Sequence, residues 1–382
     1  MTPRFEHSRF EHSVALTGIG RSVTGRRRPP GPSARALEAT QTAIIDAGLE
    51  PADIDGVCGV PGATGLPGIS TGGFRELEQS LGLRPTWHCT GREGAGPAGA
   101  VVDAMLAVAT GLCRHVLCFT VTSAATPDRL SVRGTDGGSL SPAGRAALAA
   151  SEYLARYGAD RKALGWVAIA ARRHAGRNPD ALCREPIDME GYLSAASVSS
   201  PLGVLDCGVA SDGAVALVIS AADRAEDGRH RPVWVDAVGT RHAPGPDREA
   251  GLDRHRRVLA EPAEHLWSRA TITRHDVDFL TVDDTFTLDT LCWLEALGFC
   301  EPGEAPEFVA GARRIGPDGV LPVNPHGGQL SGGHGGAFDN LYETVLQLRG
   351  GAEVRQIPSA RVGVACSGDG RSANAMLLHT AR

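Results

Sequence analysis

The sequence predicts an α/β fold in which layers of helices cover β-sheets, and three observations support this. Short apolar runs alternate with segments of helical spacing in both halves of the chain, as layered α/β proteins require. Glycine is abundant, with 49 residues, and aromatic residues make up only 5%, which favours tight turns and close contacts between layers. The 382 residues, 42% of them hydrophobic, can bury a large core and suit two fused halves.

The two halves repeat one scheme of strand, helix and turn into a further strand. The matching segments are 14–20, 33–49 and 51–57 in the first half, and 233–239, 261–272 and 274–280 in the second. Asp53 and Asp276 hold equivalent positions 223 residues apart, which indicates a duplicated unit. We predict a disordered leader over 1–13, a first half over 14–226 and a second half over 227–382, with largely parallel sheets.

Composition and charge narrow the class of protein. A formal net charge of −6 gives no reason to expect nucleic acid or an anionic membrane as partner. No apolar run reaches the 18 residues of a membrane span, and the N-terminus lacks the apolar core of a signal peptide. The nine cysteines form no CxxC pair, so the sequence predicts neither a metal site nor a disulfide framework. A reducing cytoplasm is the expected location.

A glycine-rich stretch at 94–99 matches the pattern G-x-G-x-x-G. By itself this pattern suggests a dinucleotide site. The preceding segment, 85–90, is not a convincing buried strand, and Pro97 suits the first position of a helix. We therefore do not expect a nicotinamide cofactor here.

Several longer strings carry a family resemblance. They are Leu205–Ala214, Thr285–Thr287 with Leu294–Glu304, Leu321–His334, and Gln347–Gly350 with Arg355–Gln356. These segments resemble thiolases of the sterol-carrier-protein-x type over roughly residues 14–380. The resemblance implies a five-layer αβαβα thiolase fold and a homodimer.

The same resemblance identifies what replaces the usual nucleophile. The family places a catalytic cysteine on the turn before a long helix, here predicted at 97–110, and the corresponding position is Gly94. The start of that helix still offers N–H donors to a thioester oxygen. Cys89, beside His88, is the nearest thiol and is the alternative nucleophile; otherwise it is a small buried residue.

Asp283 and Asp284 stand where relatives carry a His-Asp or Tyr-Asp pair, and Asp283 replaces the imidazole or phenol. In an extended segment the two carboxylates point to opposite sides. Burial would raise the pKa of the one that faces the cavity, which suits a general base or acid. The alternative is turn chemistry, in which an aspartate caps the helix that follows.

Two further loops complete the predicted site. Asn324, His326 and His334 lie in a glycine-rich stretch, and His334 matches the family's Gly-His-Pro histidine, although Gly335 replaces the proline. An imidazole there donates to a thioester oxygen or moves a proton. Cys366 and Gly368 resemble the family's second-cysteine loop, where a thiol acts as acid and base. Each residue also has a purely structural interpretation.

The sequence therefore predicts an enzyme that makes or breaks a carbon–carbon bond in an acyl thioester by acid/base, aldol-type chemistry. Asp283, His334 and Cys366 are the predicted catalytic residues, and Gly94, Cys89, Asn324, His326 and Gly368 are the predicted substrate-binding residues.

Certain steroid side-chain aldolases resemble this pattern and work with a small partner that carries an OB-fold and a zinc ribbon. They carry tyrosine where Asp283 stands, so another acyl chain is an equal alternative. No cofactor is expected beyond a CoA or carrier-protein thioester as substrate. The alternatives are a Claisen-type thiolase or acyltransferase that uses Cys89, and a non-catalytic thiolase-like subunit.

Overall fold

The computed structural model describes residues 9–25, 31–60, 75–90, 98–122, 124, 140–242, 250–333, 335–368 and 372–380. The strands are β1 (Val14–Arg21), β2 (Gly56–Val60), β3 (Trp87–Thr90), β4 (His115–Thr122), β5 (Ser197–Ser199), β6 (Leu202–Gly203), β7 (Gly213–Ala221), β8 (Val233–His242), β9 (Phe279–Thr281), β10 (Val362–Gly368) and β11 (Ser372–His379). The helices are α1 (Pro32–Asp46), α2 (Arg75–Leu81), α3 (Gly99–Ala109), α4 (Pro142–Tyr157), α5 (Lys162–Gly176), α6 (Met189–Ser194), α7 (Ala222–Ala225), α8 (Leu252–Arg269), α9 (Thr287–Ala296), α10 (Ala305–Phe308) and α11 (Ala337–Leu348).

The main strands are hydrogen-bonded in the order β3-β2-β4-β7-β1-β8-β11-β10-β9. The two halves meet at a short antiparallel contact between β1 and β8. The expectation of largely parallel sheets is wrong, because β7 and β11 run antiparallel to both of their neighbours. A fully buried strand has the same apolar pattern in either direction, so the sequence could not show the strand's direction.

The halves repeat one topology. In each half the first strand pairs antiparallel with the last, β1 with β7 and β8 with β11. Each half also contains a parallel pair, β2 with β4 in the first and β9 with β10 in the second. Asp55 receives the backbone N–H of His115 at 2.9 Å, at the start of β4. Asp278 receives the N–H of Val362 at 2.9 Å, at the start of β10. The predicted duplication is therefore visible in individual hydrogen bonds.

Five layers follow from how the helices pack. The inner helices α3 and α11 share one apolar core with strands of both halves of the chain. Helix α1 covers the outer face of the strands of the first half, and α8 and α9 cover the outer face of the strands of the second half. Glycines allow close contact in these outer layers. A β-carbon on Gly20 of β1 would lie 2.0 Å from Ala39 O of α1, and one on Gly239 of β8 would lie 1.9 Å from Pro262 O of α8.

The segment 140–206 packs helices α4 and α5 onto the second half. Tyr153 of α4 donates to Glu295 of α9, and both side chains are buried. Asp206 receives Tyr192 Oη at 2.6 Å and Thr287 Oγ1 at 2.7 Å, so it ties this segment to the first residue of α9. These contacts fix the start of α9, next to the predicted site.

The N-terminal segment and the joint between the halves fall as follows. Part of the expected leader belongs to the fold, because Phe10–Ser13 form a helical turn and the buried Glu11 pairs with Arg269 of α8 at 2.5 Å. The boundary expected at 226/227 lies between α7 and β8. Among the described residues, no helix is long and apolar enough to cross a membrane.

Candidate active site

A small cleft opens where the inner helix α11 begins. It lies between the ends of β1 and β4, the start of β7 and the loop before α11, and its volume of about 220 Å³ includes open solvent at its mouth. Its polar lining comprises Arg21, Thr24, Thr120, Thr122, Ser211 and Asp339. Because β2, β3 and β4 run parallel, β3 ends at this same edge of the sheet. Gly94 itself lies outside the described residues.

Arg21 and Asp339 form an ion pair at the floor of the cleft. Nε of Arg21 lies 3.4 Å from Oδ1 of Asp339, and the two side chains are 12% and 4% exposed. Burial raises the pKa of Asp339, while Arg21 and the backbone N–H of Gly335 oppose that rise. A β-carbon on Gly335 would lie 1.7 Å from Asp339 Oδ2. The loop that carries His334 is thus held against Asp339, although His334 itself lies outside the described residues.

Asp283 follows β9 and is 5% exposed. Its Oδ1 accepts the Thr285 N–H at 3.0 Å and the Thr285 hydroxyl at 2.7 Å. Burial and then the nearby Asp289 raise the pKa of Asp283 to about 6, against the opposing hydrogen bonds. Oγ1 of Thr285 also lies 2.9 Å from Gln329 Oε1. The Thr285 hydroxyl has one proton and cannot donate to both the Asp283 carboxylate and the Gln329 oxygen. Either the Gln329 amide is turned so that its N–H donates to Thr285, or Asp283 is protonated and donates to Thr285.

Asp284 braces the glycine-rich turn instead. Its Oδ1 accepts the Gln329 N–H at 2.6 Å. Burial raises the pKa of Asp284 to about 8. Asn324 supports the same turn, because its Oδ1 accepts the Val282 N–H at 2.7 Å and its own backbone has a positive φ of 55°. Asp283 and Asp284 therefore bind the backbone of two different turns, and neither caps α9, because Asp289 accepts the N–H of Phe286, the residue before that helix.

Several buried polar atoms near the turn lack a hydrogen-bond partner within the described part of the chain. They are both ring nitrogens of His326, Nε2 of Gln329 and Oδ1 of Asn340. Burial lowers the pKa of His326 well below its usual value, so its ring is neutral. Buried polar groups are usually paired, and groups that are not often face a ligand or ordered water. Only the carbonyl of His326 is held, by Asn178 Nδ2 at 2.9 Å.

Cys366 does not face the cleft. Along β10, Ala365 belongs to the inner core around α11, while Val364 and Cys366 belong to the outer core under α8 and α9. A β-carbon on Gly368 would likewise meet Leu259 of α8 at 3.3 Å. Desolvation raises the pKa of the Cys366 thiol well above its usual value. The geometry therefore gives no support to an acid/base role for Cys366 or to substrate binding by Gly368, because strand alternation turns both to the outer face.

Cys89 lies on β3 beside two other thiols. In the register of the parallel strands it is opposite Cys58, which in turn is opposite Cys118. Its Sγ lies 3.8 Å from Oδ2 of Asp103 on α3. Burial, Cys58 and Asp103 raise the pKa of Cys89 to about 11. A thiol in this setting is a poor nucleophile, since the thiolate is the reactive form.

The structure thus brings Asp283, Asn324 and His326 together around the turn, whereas Cys366, on the adjacent strand β10, turns its side chain to the outer core. Sequence reasoning missed Thr285, Gln329, Arg21 and Asp339. Arg21 is a charged residue at the end of the buried strand β1, and a charge in that position could have indicated a site. The contact of Thr285 with Gln329 joins positions 44 residues apart and has no local sequence signal.

Comparisons with known proteins agree with this geometry. The family model described as "Thiolase C-terminal domain-like" matches residues 253–379. The chain is 33% identical over 365 residues to the 17-hydroxy-3-oxo-4-pregnene-20-carboxyl-CoA lyase of Mycobacterium tuberculosis, across 88% of this chain and 92% of that protein. It is 31% identical over 389 residues to the steroid side-chain-cleaving aldolase of Thermomonospora curvata, across 93% and 97% of the two chains.

A solved structure shows the same relationship. The Ltp2-ChsH2(DUF35) aldolase superposes with a TM-score of 0.84 at 28% identity, over 98% of this chain and 99% of that chain. The five layers, the cleft and these relatives define a thiolase-like enzyme of carbon–carbon bond chemistry. Within that class, the chain belongs to the thiolase superfamily, as a thiolase-like protein of the sterol-carrier-protein-x type.

Proposed function

We propose that the protein catalyses aldol-type cleavage or formation of a carbon–carbon bond in a β-hydroxyacyl thioester, without a covalent acyl-enzyme. In the cleavage direction a base takes the proton of the β-hydroxyl group and the bond between Cα and Cβ breaks. The β-carbon becomes a carbonyl, and the electron pair forms a thioester enolate that takes up a proton. The products are a ketone or aldehyde and a shorter acyl thioester.

One contrast carries this proposal. The buried carboxylate of Asp283, beside the glycine-rich turn, has its pKa raised to about 6, where a general base works well at neutral pH. The thiol that could replace the missing nucleophile, Cys89, has its pKa raised to about 11 beside the Asp103 carboxylate. The site therefore favours proton transfer over acyl transfer to sulfur, and this argues against a Claisen-type reaction through Cys89.

The substrate class follows from the relatives. One is named as a lyase of a steroid carboxyl-CoA and another as a steroid side-chain-cleaving aldolase. We propose that the substrate is a CoA thioester in which the β-carbon carries a bulky substituent. His334 and the neutral His326 are the proposed donors to the thioester oxygen.

The assembly is proposed on similar grounds. Among the described residues β3 is the last strand of the sheet on one side, and edge strands of this kind commonly pair with a second copy. We propose a homodimer joined at that edge, and a DUF35-type partner like the one named in the related aldolase. A cytoplasmic location stays a prediction from the sequence.

The test is direct product analysis. The purified chain, alone and co-expressed with a DUF35-type protein, is incubated with β-hydroxyacyl-CoA substrates, and mass spectrometry follows the carbonyl product and the shorter acyl-CoA. We expect both products in equal amounts. Acyl-CoA hydrolysis or acyl transfer without a carbonyl product would overturn the proposal, and an inactive chain that only stabilises its partner would support the non-catalytic alternative.

A further inference from the structure

A histidine–aspartate pair, made of the half-buried His255 and the buried Asp289, lies near the predicted base and does not line the cleft. Nε2 of His255, on α8, lies 3.0 Å from Oδ1 of Asp289, on α9, and the two side chains are 17% and 12% exposed. The other oxygen of Asp289 accepts the Phe286 N–H at 2.8 Å. Neither residue belongs to a motif that the sequence analysis singled out.

The two carboxylates share one short piece of backbone. Asp289 binds the N–H of Phe286, and Asp283 binds the N–H of Thr285, the residue before it. Consecutive amide nitrogens are close in space, so the carboxylates lie within roughly 8 Å of each other. Both are buried, which leaves their mutual repulsion poorly screened.

In the part of the chain that the structure describes, few charged groups surround the pair. Asp283 is faced by Asp289 and by its neighbour Asp284. His255 is faced by Asp289 and by the Cys292 thiol one turn further along α9. The charge of Asp289 also raises the pKa of Cys207. Glu295 raises the pKa of Cys292, but Glu295 itself accepts a hydrogen bond from Tyr153 and pairs with Arg256. His255 is therefore the cation that balances Asp289.

We propose that the His255–Asp289 pair is a positioning device that sets the protonation of Asp283 through the 285–286 backbone. With His255 protonated, the pair is neutral and Asp283 ionises near neutral pH. Removal of the imidazolium leaves Asp289 as an uncompensated negative charge, which opposes ionisation of Asp283. This inference rests on the proposed function, because it assumes that Asp283 is the base of the aldol reaction.

The proposal predicts the direction in which the pH dependence of kcat/KM moves in each variant, and a merely structural role predicts no such movement. In His255→Asn the acidic limb of the pH dependence of kcat/KM moves to higher pH, by about one unit for charges at this separation in a protein interior. In Asp289→Asn, which keeps an oxygen for the Phe286 N–H, the limb moves to lower pH. In the double variant the upward shift of His255→Asn disappears. His255→Lys, which keeps the charge, holds the limb near its wild-type position.

The experiment is a set of pH–rate profiles on the full-length enzyme with its β-hydroxyacyl-CoA substrate. His265→Asn is the matched control, since His265 lies exposed on the same helix, and its limb should not move. Shifts of opposite sign in the two single variants support the inference. Lower activity or thermal stability in His255→Asn, with the limb unmoved, overturns it.

Asp283→Asn separates this inference from the proposed function. If Asp283→Asn keeps the wild-type acidic limb, the limb belongs to another group and the assignment of the base fails. If Asp283→Asn loses the limb while His255→Asn leaves it in place, only the role of the pair fails.

Discussion

The carboxylate of Asp284 accepts the backbone N–H of Gln329 at 2.6 Å, and this contact joins the end of β9 to a turn 45 residues later. Gly328 makes the approach possible. Its φ is +61°, and a β-carbon there would lie 1.9 Å from Asp284 Oδ2. The turn that carries Asn324, His326 and Gln329 is therefore held by the side chain of Asp284.

Gly328→Ala should destabilise the protein by clearly more than a positive φ alone explains. Gly350→Ala is the matched control, because Gly350 has a φ of +75° and nothing within 4 Å of the added carbon. We expect the control to lose about 1 kcal/mol of unfolding free energy and Gly328→Ala to lose several times as much. Denaturant unfolding measures the unfolding free energy of both variants. Equal losses would contradict the prediction, because they would mean that the Asp284 side chain moves away from the added carbon at little cost.

Asp284 should also make stability depend on pH. Burial raises its pKa in the folded protein to about 8, above its ordinary value of 3.8. A group with a raised folded pKa contributes stability that is present at low pH and is lost as pH rises, here between about 4 and 8. Asp284→Asn removes this contribution, so its unfolding free energy should fall less over that window than that of the wild type. Identical slopes would contradict the prediction.

Some of this architecture could be read from the sequence. The offset of 223 residues that pairs Asp53 with Asp276 also pairs Asp55 with Asp278, and these last two make equivalent hydrogen bonds to β4 and β10. A repeat of this kind is visible because each copy uses the same local turn. The outer helices α1 and α8 and the strands that precede them were predictable for the same reason.

The site was less predictable, because it depends on which face of a strand a residue occupies. A cysteine at 366 suggests chemistry, but a shift of one position along β10 decides between the inner layer of Ala365 and the outer layer of Cys366. The pairing of His255 with Asp289 joins two helices that come together only through the packing of α8 on α9. No local pattern encodes such contacts.

Cys89→Ala and Cys366→Ala should each keep most of the activity. The Cys89 thiol lies beside Asp103 with its pKa raised to about 11, and the Cys366 thiol lies in the outer core. Steady-state kinetics should show changes of less than about tenfold. A loss of about 1000-fold or more in Cys89→Ala, the scale of removing a covalent catalyst, would reject the aldol mechanism.

The purified chain should sediment as a dimer. β3 is the last strand of the sheet on its side among the described residues, and a strand in that position usually pairs with another chain or is covered. Sedimentation equilibrium at micromolar concentration should give twice the chain mass of 39.8 kDa. A stable monomer would contradict the homodimer, whereas a chain that becomes soluble only with a DUF35-type partner would indicate a heteromeric assembly.

Asp283→Asn is the sharpest test of the reaction chemistry. The substitution keeps the size of the side chain and an oxygen for the Thr285 N–H and hydroxyl, but it removes the base. We expect the rate to fall roughly 100- to 10,000-fold, the usual contribution of a general base, with substrate binding largely retained. Because the pKa of Asp283 is raised to about 6, the wild-type kcat/KM should fall as pH drops below about 6.

The residual rate of Asp283→Asn should lack that acidic limb, since no carboxylate remains to be protonated. Thr285→Val is the companion variant: it removes the hydroxyl that hydrogen-bonds to Asp283 and keeps the backbone N–H. Loss of a bond to the charged form should raise the pKa of Asp283 and move the limb to higher pH with a smaller loss of rate. If Asp283→Asn keeps full activity with the wild-type profile, Asp283 serves only the turn at Thr285, and the base must be sought at His334.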